Sequence, residues 1–173
     1  MMRQMIIGVA LVAVTVCVWL TPSSFAGQRQ GATTDQAFVK KAAMGGLAEV
    51  QLGKMAVERA ASPDVKQFGQ RMVDDHGKAN QELMTLVEQK GISAPTALDK
   101  KHQKEADRLA KLQGAAFDRA YMQHMVKDHE EDAKLFRTEA KKGKDPQLKS
   151  FAATTLPTIE DHLNTARNLV KKP

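Results

Sequence analysis

The sequence has 173 residues, a formal net charge of +6 at pH 7 and a single cysteine. This length is enough for one domain with a full hydrophobic core, and one cysteine excludes a framework of intramolecular disulfides. The sequence also contains no nucleophile elbow, phosphate-binding loop or dinucleotide-binding fingerprint, which argues against the common hydrolases, kinases and dehydrogenases.

Residues 1–26 are predicted to be a secretory signal peptide. Arg3 supplies a short basic region, residues 5–20 form an apolar run, and residues 24–26 have the small-x-small pattern of a cleavage site. The alternative is an uncleaved anchor, but a run of about 16 residues is short for a bilayer span. We therefore expect cleavage after Ala26, a periplasmic or secreted protein, and no transmembrane span in the mature chain.

The charge of the mature chain gives little information about partners. Loss of Arg3 lowers the net charge from +6 to +5, and the remaining basic residues are spread along the chain, with a small cluster at Lys141, Lys142 and Lys144. This pattern is typical of solvated helix surfaces and allows a weak association with an anionic envelope surface. We expect no nucleic-acid partner, and the sequence does not predict an oligomeric state.

The first half of the chain predicts a leader and two long helices. Residues 27–34 are small and polar, which is typical of a flexible leader. Helix A is predicted over about 36–61 with Asp35 as its N-cap. Helix B is predicted over about 63–90, because Ser62 and Pro63 form a favoured helix start and Gly91 a left-handed end.

The second half predicts a short helix over about 97–112, helix C over about 115–142 and helix D over about 146–171. Thr96 and Asp99 resemble a capping box for the short helix, and Pro157 lies inside helix D, where it is expected to cause a kink. Apolar residues recur at helical spacing, and no strand pattern is visible. Pro63 and Phe68 also match Pro146 and Phe151 in spacing, so the two halves look related.

These elements predict an all-α fold, a four-helix bundle over residues 35–171. About 24 residues separate helix B from helix C, and the short helix within them can cross most of the length of the bundle. Helices B and C can therefore run parallel, as in bundles with one long crossover.

A polar layer is predicted halfway along the bundle. Glu49, His76 and His129 lie near the midpoints of helices A, B and C, and His162 lies a few residues past the midpoint of helix D. A midpoint stays at half height whichever way its helix runs, so these side chains are expected to meet within about one turn. The set is a candidate site for zinc or iron. A buried hydrogen-bonded cluster without a metal is the alternative.

Acidic residues are predicted around this layer. Asp75, Asp128 and Asp161 each precede a layer histidine, so each lies about 100° around its helix and could contact a histidine of a neighbouring helix. The alternative is a solvated acid at the edge of the core. Tyr121 is a further candidate neighbour of the layer, and Asp118 is expected to cap helix C or to form a hydrogen bond in the core.

Di-iron and copper sites are two further candidates for this layer, and the sequence favours neither. Di-iron carboxylate bundles use Glu-x-x-His on two helices, whereas the residues three before the layer histidines are Val73, Val126 and Ile159. Copper binding is suggested by Met72 and Met125, each one turn before a layer histidine, but methionine at helical spacing more often fills a core. His102 and His124 fall off the layer and are predicted to be surface residues.

Several of these residues together resemble a known family. They are Phe38, Ala48-Glu49-Val50, Phe68, Met72-Val73-x-Asp75-His76, Phe117-Asp118-x-x-Tyr121, His129, Leu156-Pro157 and His162. Over residues 35–170 the pattern is similar to an exported bacterial ferritin-like domain of unknown function, whose members are often labelled outer-membrane proteins. The resemblance implies a ferritin-like bundle in the cell envelope and brings no established activity.

Three hypotheses follow for function. The first is an exported binding protein that holds zinc, iron, copper or a small ligand at the histidine and glutamate layer, with a role in envelope stress. The second is a non-catalytic structural or interaction module, in which the polar cluster sets the helix register. The third is a redox enzyme with an unusual metal site.

Overall fold

The computed structural model of the chain describes residues 25–171. They form five helices: α1 (Phe25–Arg59), α2 (Pro63–Gln89), α3 (Lys100–Leu109), α4 (Gly114–Lys142) and α5 (Pro146–Lys171). No strand occurs within this range, so the all-α prediction is confirmed. Residues 1–24 of the predicted signal peptide lie outside the described residues. None of the helices within residues 25–171 is long and apolar enough to cross a membrane.

The start of α1 differs from the prediction. The helix begins at Phe25, so the segment predicted as a flexible leader, residues 27–34, is helical, and it contains no proline that would break the helix. Asp35 therefore does not cap α1. Its carboxylate instead accepts hydrogen bonds from the backbone N–H groups of Lys144 at 3.0 Å and Asp145 at 2.8 Å, in the turn between α4 and α5.

The four long helices pack in a ring in which α1 contacts α2 and α4, and α5 contacts the same two helices. Asp35 near the start of α1 bonds the turn after α4, and Asp118 near the start of α4 bonds the turn after α1. Helices α1 and α4 are therefore antiparallel. Lys90 at the end of α2 contacts Asp145 at the start of α5, so this pair is antiparallel as well. Helices α2 and α4, on opposite corners, consequently run parallel.

Two glycines allow α1 and α2 to approach closely. A Cβ on Gly53 would lie 2.6 Å from the carbonyl oxygen of Gly69, and a Cβ on Gly69 would lie 2.7 Å from Cβ of Ala56. Any larger residue at either position would push the helices apart.

The crossover between α2 and α4 contains the short helix α3. Gly91 ends α2 with a φ of 63°, and Gly114 has a φ of 60° where α4 begins, so both positions favour glycine. Asp99 is the N-cap of α3 and accepts a hydrogen bond from the backbone N–H of His102 at 3.0 Å. Helix α3 is therefore shorter than the predicted 97–112, because the cap is Asp99 and not Thr96.

Two hydrophobic clusters make up the core. The first surrounds Phe68, Leu109 and Phe117, and the second surrounds Phe38 and Phe151. In each of the four long helices, the predicted polar residue lies in sequence between residues of the first cluster and residues of the second. The polar layer is therefore enclosed above and below by apolar side chains.

Candidate metal centre

Three imidazole rings meet at the middle of the bundle, one from each of α2, α4 and α5. The ring centroids of His76, His129 and His162 lie 5.2–5.5 Å apart, close to an equilateral triangle. His129 and His162 are fully buried, and His76 is 6% exposed. Phe68 covers the layer on one side, with its ring centroid 6.3 Å from those of His129 and His162. The site is thus small and almost completely enclosed by protein.

The His129 ring is oriented by its own helix. Its Nδ1 lies 3.0 Å from the carbonyl oxygen of Met125, one turn earlier in α4. A carbonyl oxygen can only accept a hydrogen bond, so Nδ1 carries the proton. In the neutral ring, Nε2 then presents a lone pair to the layer. Burial lowers the pKa of His129 and favours this neutral form.

The His162 ring is oriented from the neighbouring helix α2. Its Nε2 lies 2.8 Å from Oδ2 of Asp75, so Nε2 carries the proton and Nδ1 carries the lone pair. Burial lowers the pKa of His162 to about 4, against the opposing hydrogen bond to Asp75. Arg71 contacts Asp75 at 3.2 Å and also Asp161 at 2.7 Å.

Asp161 matches the alternative prediction, a solvated acid at the edge of the core, and not the prediction of a contact with a ring. Its side chain is 60% exposed, and it reaches the layer only through Arg71 and Asp75. Asp75, by contrast, contacts a histidine on an adjacent helix, the arrangement expected for it. The two acids occupy equivalent places before their histidines, and the difference arises because Asp75 faces α5 whereas Asp161 faces Arg71 on α2.

His76 is paired with Glu49. Its Nδ1 lies 2.7 Å from Oε2 of Glu49, a side chain with no exposed surface. Burial alone would raise the pKa of Glu49, but the charge of His76 and its hydrogen bond to Glu49 lower it to about 2. Glu49 in turn raises the pKa of His76 against the effect of burial. The layer therefore contains one buried ion pair and two rings that burial keeps neutral.

Each of the three rings also has a second nitrogen without a hydrogen bond. These atoms are Nε2 of His76, Nε2 of His129 and Nδ1 of His162, and all three are buried. The three residues each offer a nitrogen within 4.8 Å of the others. Buried polar atoms are normally hydrogen-bonded, so three unpartnered nitrogens in one layer call for an explanation. Three imidazoles are a ligand set that suits zinc or copper.

Asp128 lies on the other side of the layer, near Glu49 and His129. These three residues each offer a ligand atom within 4.8 Å of the others. Burial, followed by the charge of Glu49, raises the pKa of Asp128 to about 7. Burial and the same charge raise the pKa of Asp132 well above its usual range, one turn further along α4. Carboxylates therefore accumulate between α1 and α4.

Asp118 and Tyr121 are not joined to the layer by hydrogen bonds. The carboxylate of Asp118 accepts from the backbone N–H groups of Ala61 at 3.1 Å and Ser62 at 2.9 Å, so it caps the α1–α2 turn and not helix α4 as expected. The Tyr121 ring stacks on Phe117 with centroids 5.5 Å apart. Its hydroxyl is buried and carries no hydrogen bond within the described part of the chain.

The predicted surface histidines lie half-buried between α3 and α4. His102 contacts Asp99 at 2.7 Å, and Nδ1 of His124 lies 3.4 Å from Glu105. Sequence reasoning missed this because α3 covers the His124 face of α4, and helical periodicity within α4 does not report a covering helix. Arg71 was missed as well, although its spacing of four residues from Asp75 on one helix was an available signal.

The methionines before the histidines are core residues. Met72 and Met125 are fully buried in the first hydrophobic cluster. Met44 is also buried, and its sulfur accepts the backbone N–H of Asp99 at 3.2 Å. These environments favour the core-filling interpretation.

Solved structures with similar folds were found at low sequence identity. A DUF305 fragment from Deinococcus radiodurans has a TM-score of 0.70 and 12% identity, covering 79% of this chain and 95% of that one. CopM in its Cu(II)-bound form has a TM-score of 0.67 and 17% identity, with the same coverage. The conserved hypothetical protein rv2844 from Mycobacterium tuberculosis has a TM-score of 0.63 and 14% identity, covering 83% and 95%. At these identities the likeness shows the fold.

No curated protein matches the chain significantly. A family model does match, over residues 20–169, which is most of the sequence. The chain belongs to the family described as "Domain of unknown function (DUF4142)".

Proposed function

We propose that the protein is an exported, ferritin-like bundle that binds a transition-metal ion through His76, His129 and His162. One observation carries this proposal. Each ring has one nitrogen held against an oxygen atom and one buried nitrogen free, and the three rings face each other. Metal-bound imidazoles are commonly held in this way, because an oxygen partner fixes the ring and raises its basicity as a ligand.

The surroundings also suit a cation. Glu49 contributes a buried negative charge beside His76, so a bound ion would not enter an uncompensated apolar site. The opposing rings are enclosed by the two hydrophobic clusters, which would restrict access of competing water. These features favour zinc or copper, ions that accept imidazole ligands in a small site.

A likeness in fold adds limited support. CopM has been solved in Cu(II)-bound, Cu(I)-bound and Ag-bound forms, with TM-scores of 0.64–0.67 to this chain. A bundle of this shape can therefore hold such ions. The likeness does not place its ligands on residues of this chain.

The test is metal content and affinity of the mature protein purified without an affinity tag. We expect about one zinc or copper ion per chain and loss of that ion in His129→Ala, because this change removes one of the three proposed ligands from a fully buried position. His102→Ala is the control, since it removes a histidine outside the layer. Equal and negligible metal in all three proteins would refute the proposal.

A sharper version compares two aspartates. Asp75→Asn removes the charge that holds His162, and we expect a loss of about 10–100-fold in affinity. Asp161→Asn is the matched control, because Asp161 also contacts Arg71 and precedes a layer histidine but touches no ring. If both changes have the same effect, Asp75 does not position His162 for a metal.

The second candidate is a structural module, and the Glu49–His76 pair favours it. This buried pair satisfies part of the layer without any metal. On this hypothesis, replacing Glu49 and the three histidines together with apolar residues keeps the fold and stabilises it. A deletion strain rescued by that variant would support the structural role, and failure of rescue by a folded variant would exclude it.

A further inference from the structure

Three residues that each offer a ligand atom within 4.8 Å of the others also each have a buried acceptor atom without a hydrogen bond. These atoms are Oε1 of Glu49, Oδ2 of Asp128 and Nε2 of His129, and none of the three carries a hydrogen bond within residues 25–171. Nε2 of His129 lies 3.4 Å from Oε1 of Glu49. His129 donates from Nδ1 to Met125, so the neutral ring offers no proton to either carboxylate. Asp128, whose pKa is raised to about 7, carries either a proton or a negative charge at this position, so these buried acceptors are stabilised either by that proton or by a cation among them.

His129 belongs to this set and also to the three-imidazole set. Its Nδ1 is already bonded, so it has a single free lone pair, on Nε2. One lone pair cannot bind two ions at the same time. The two sets therefore describe two alternative positions for one ion. We call the set of Glu49, Asp128 and His129 the outer position, and the set of three histidines the inner position.

The outer position has a route to solvent. A groove of about 570 Å³ runs between α3 and α4, and Asp128 is part of its lining. His124 and Glu105 face each other across the same groove. None of the three layer histidines is among the groove-lining residues that the structure describes. Asp128 is thus the residue through which an ion in the groove would first meet the layer.

We propose that a divalent cation of the zinc or cobalt class binds at Glu49, Asp128 and His129, reached through the α3–α4 groove, before it moves to the three-histidine position. Two carboxylates and one imidazole form a harder donor set than three imidazoles and suit a partly hydrated divalent ion. The inference rests on the proposed function, because the inner position is its destination. It adds a second site, an order of loading and a role for Asp128 as a ligand.

The experiment titrates Zn²⁺ and Co²⁺ separately into the full mature chain. We expect one ion per chain in the wild type. His162→Ala removes a ligand of the inner position only, so this variant should still bind one ion, at least about tenfold more weakly. His162→Ala combined with Asp128→Asn should lose a further factor of about ten or more. His162→Ala combined with Asp107→Asn is the control, because Asp107 lines the same groove without contacting the layer.

The outcomes separate the inference from the proposed function. If the Asp128→Asn and Asp107→Asn double variants bind alike, or if the wild type binds two ions at once, the outer position is wrong while the inner position stands. If His76→Ala has no effect on wild-type binding, the inner position is wrong. Retained helix content, measured by circular dichroism, is the condition for counting a variant.

A kinetic measurement tests the order of loading in the wild-type background. Asp128→Asn should bind Co²⁺ with little change in final stoichiometry and with an association rate slower by at least about tenfold, because it removes a proposed ligand of the outer position through which the ion passes. Asp107→Asn should bind at the wild-type rate. Equal rates for both variants would overturn the proposed route.

Discussion

The two helix pairs of this protein, α1–α2 and α4–α5, share a scaffold but not a site. Asp35 and Phe38 in the first pair correspond to Asp118 and Tyr121 in the second, and each correspondence spans 83 residues. Pro63 matches Pro146 at the same offset. The structure explains why both aspartates occur at this offset: each one caps the turn that joins the two helices of the other pair. Asp35 bonds residues 144 and 145, and Asp118 bonds residues 61 and 62, which are again 83 residues apart.

The repeat is broken where the polar layer lies. His129 corresponds to Gly46, where a Cβ would lie 2.1 Å from Oδ1 of Asn80, so a side chain at this position of the first pair would have to displace Asn80. His76 corresponds to Ile159, and its functional counterpart His162 is displaced by three residues. The duplicated residues therefore hold the helices together, and the residues that differ form the candidate metal centre. This separation of scaffold from site can be tested by comparing equivalent positions.

The largest expected contrast is between Glu49 and its equivalent, Asp132. Glu49→Gln removes the charge that His76 needs in a fully buried pair, so the free energy of unfolding should fall by roughly 3–5 kcal/mol. Asp132→Asn removes a carboxyl whose pKa is raised by burial and by the charge of Glu49, so stability should stay within about 0.5 kcal/mol or rise. Urea denaturation at pH 7 in a chelating buffer measures both. Equal losses would show that the two positions have the same role.

The reciprocal caps are expected to give the next largest effect. Asp118→Ala leaves two backbone N–H groups of the α1–α2 turn without their carboxylate, which should cost about 2 kcal/mol. Asp35→Ala removes the equivalent bonds, but it also removes a negative charge beside Glu139, a charge that contributes to the raised pKa of Glu139, so it should cost only about 1 kcal/mol. Urea denaturation of the two variants and of the Asn versions, which keep an acceptor oxygen, gives the comparison. A larger cost at Asp35 would contradict this reasoning.

The caps also show how far sequence reasoning reached. The starts of α2 and α5 were predicted within a residue, because Ser62-Pro63 and Asp145-Pro146 are local signals. The start of α1 was predicted about eleven residues late, because Asp35 is a residue type favoured at N-caps but bonds a turn 109 residues away. Local patterns do not distinguish a residue that caps its own helix from one that caps a distant turn.

The same limit applies to the site. Helical spacing was sufficient to predict that Glu49 and the three histidines lie at one level, because it determines the height and the face of each residue along its helix. It could not give the contacts between helices, such as Asp75 with His162 or Arg71 with Asp161, since these depend on the neighbouring helix and on the rotamer. The distinction between an acid that holds a ring and an acid in solvent therefore came only from the structure.

A pH dependence is expected from Glu139, which has Ala56 as its equivalent in the first pair. Glu139 is buried, and burial together with Asp35 raises its pKa from 4.5 to about 7. The folded protein therefore holds this proton more tightly than the unfolded chain. Below pH 4.5 Glu139 is protonated in both the folded and the unfolded state, so its contribution to stability is fully present. As pH rises from about 4.5 to 7 the unfolded state ionises first, so stability falls, and above about 7 it levels off.

Glu139→Gln keeps a hydrogen-bond donor toward Asp35 and cannot ionise, so it should remove this fall, worth about 1–2 kcal/mol after allowance for solvent. Thermal unfolding between pH 4.5 and 8 measures it, with Glu58→Gln as an exposed control. If the curves of stability against pH for wild type and Glu139→Gln are parallel, the folded protein does not raise the pKa of Glu139. The positions of Glu139 and Ala56 would then not differ in their effect on the pH dependence of stability.

The smallest expected effect concerns one hydroxyl group, the difference between Tyr121 and its equivalent, Phe38. The Tyr121 hydroxyl is buried without a hydrogen bond in the described part of the chain, so Tyr121→Phe should raise the free energy of unfolding by about 1 kcal/mol. Phe38 packs against Phe136 and Phe151, with ring centroids 5.1 and 6.4 Å away, so Phe38→Tyr should lower it by at least as much. If Tyr121→Phe instead lowers stability only when metal is bound, the Tyr121 hydroxyl interacts with the ion. The site would then extend beyond the histidines, in the helix pair that contains His129 and His162.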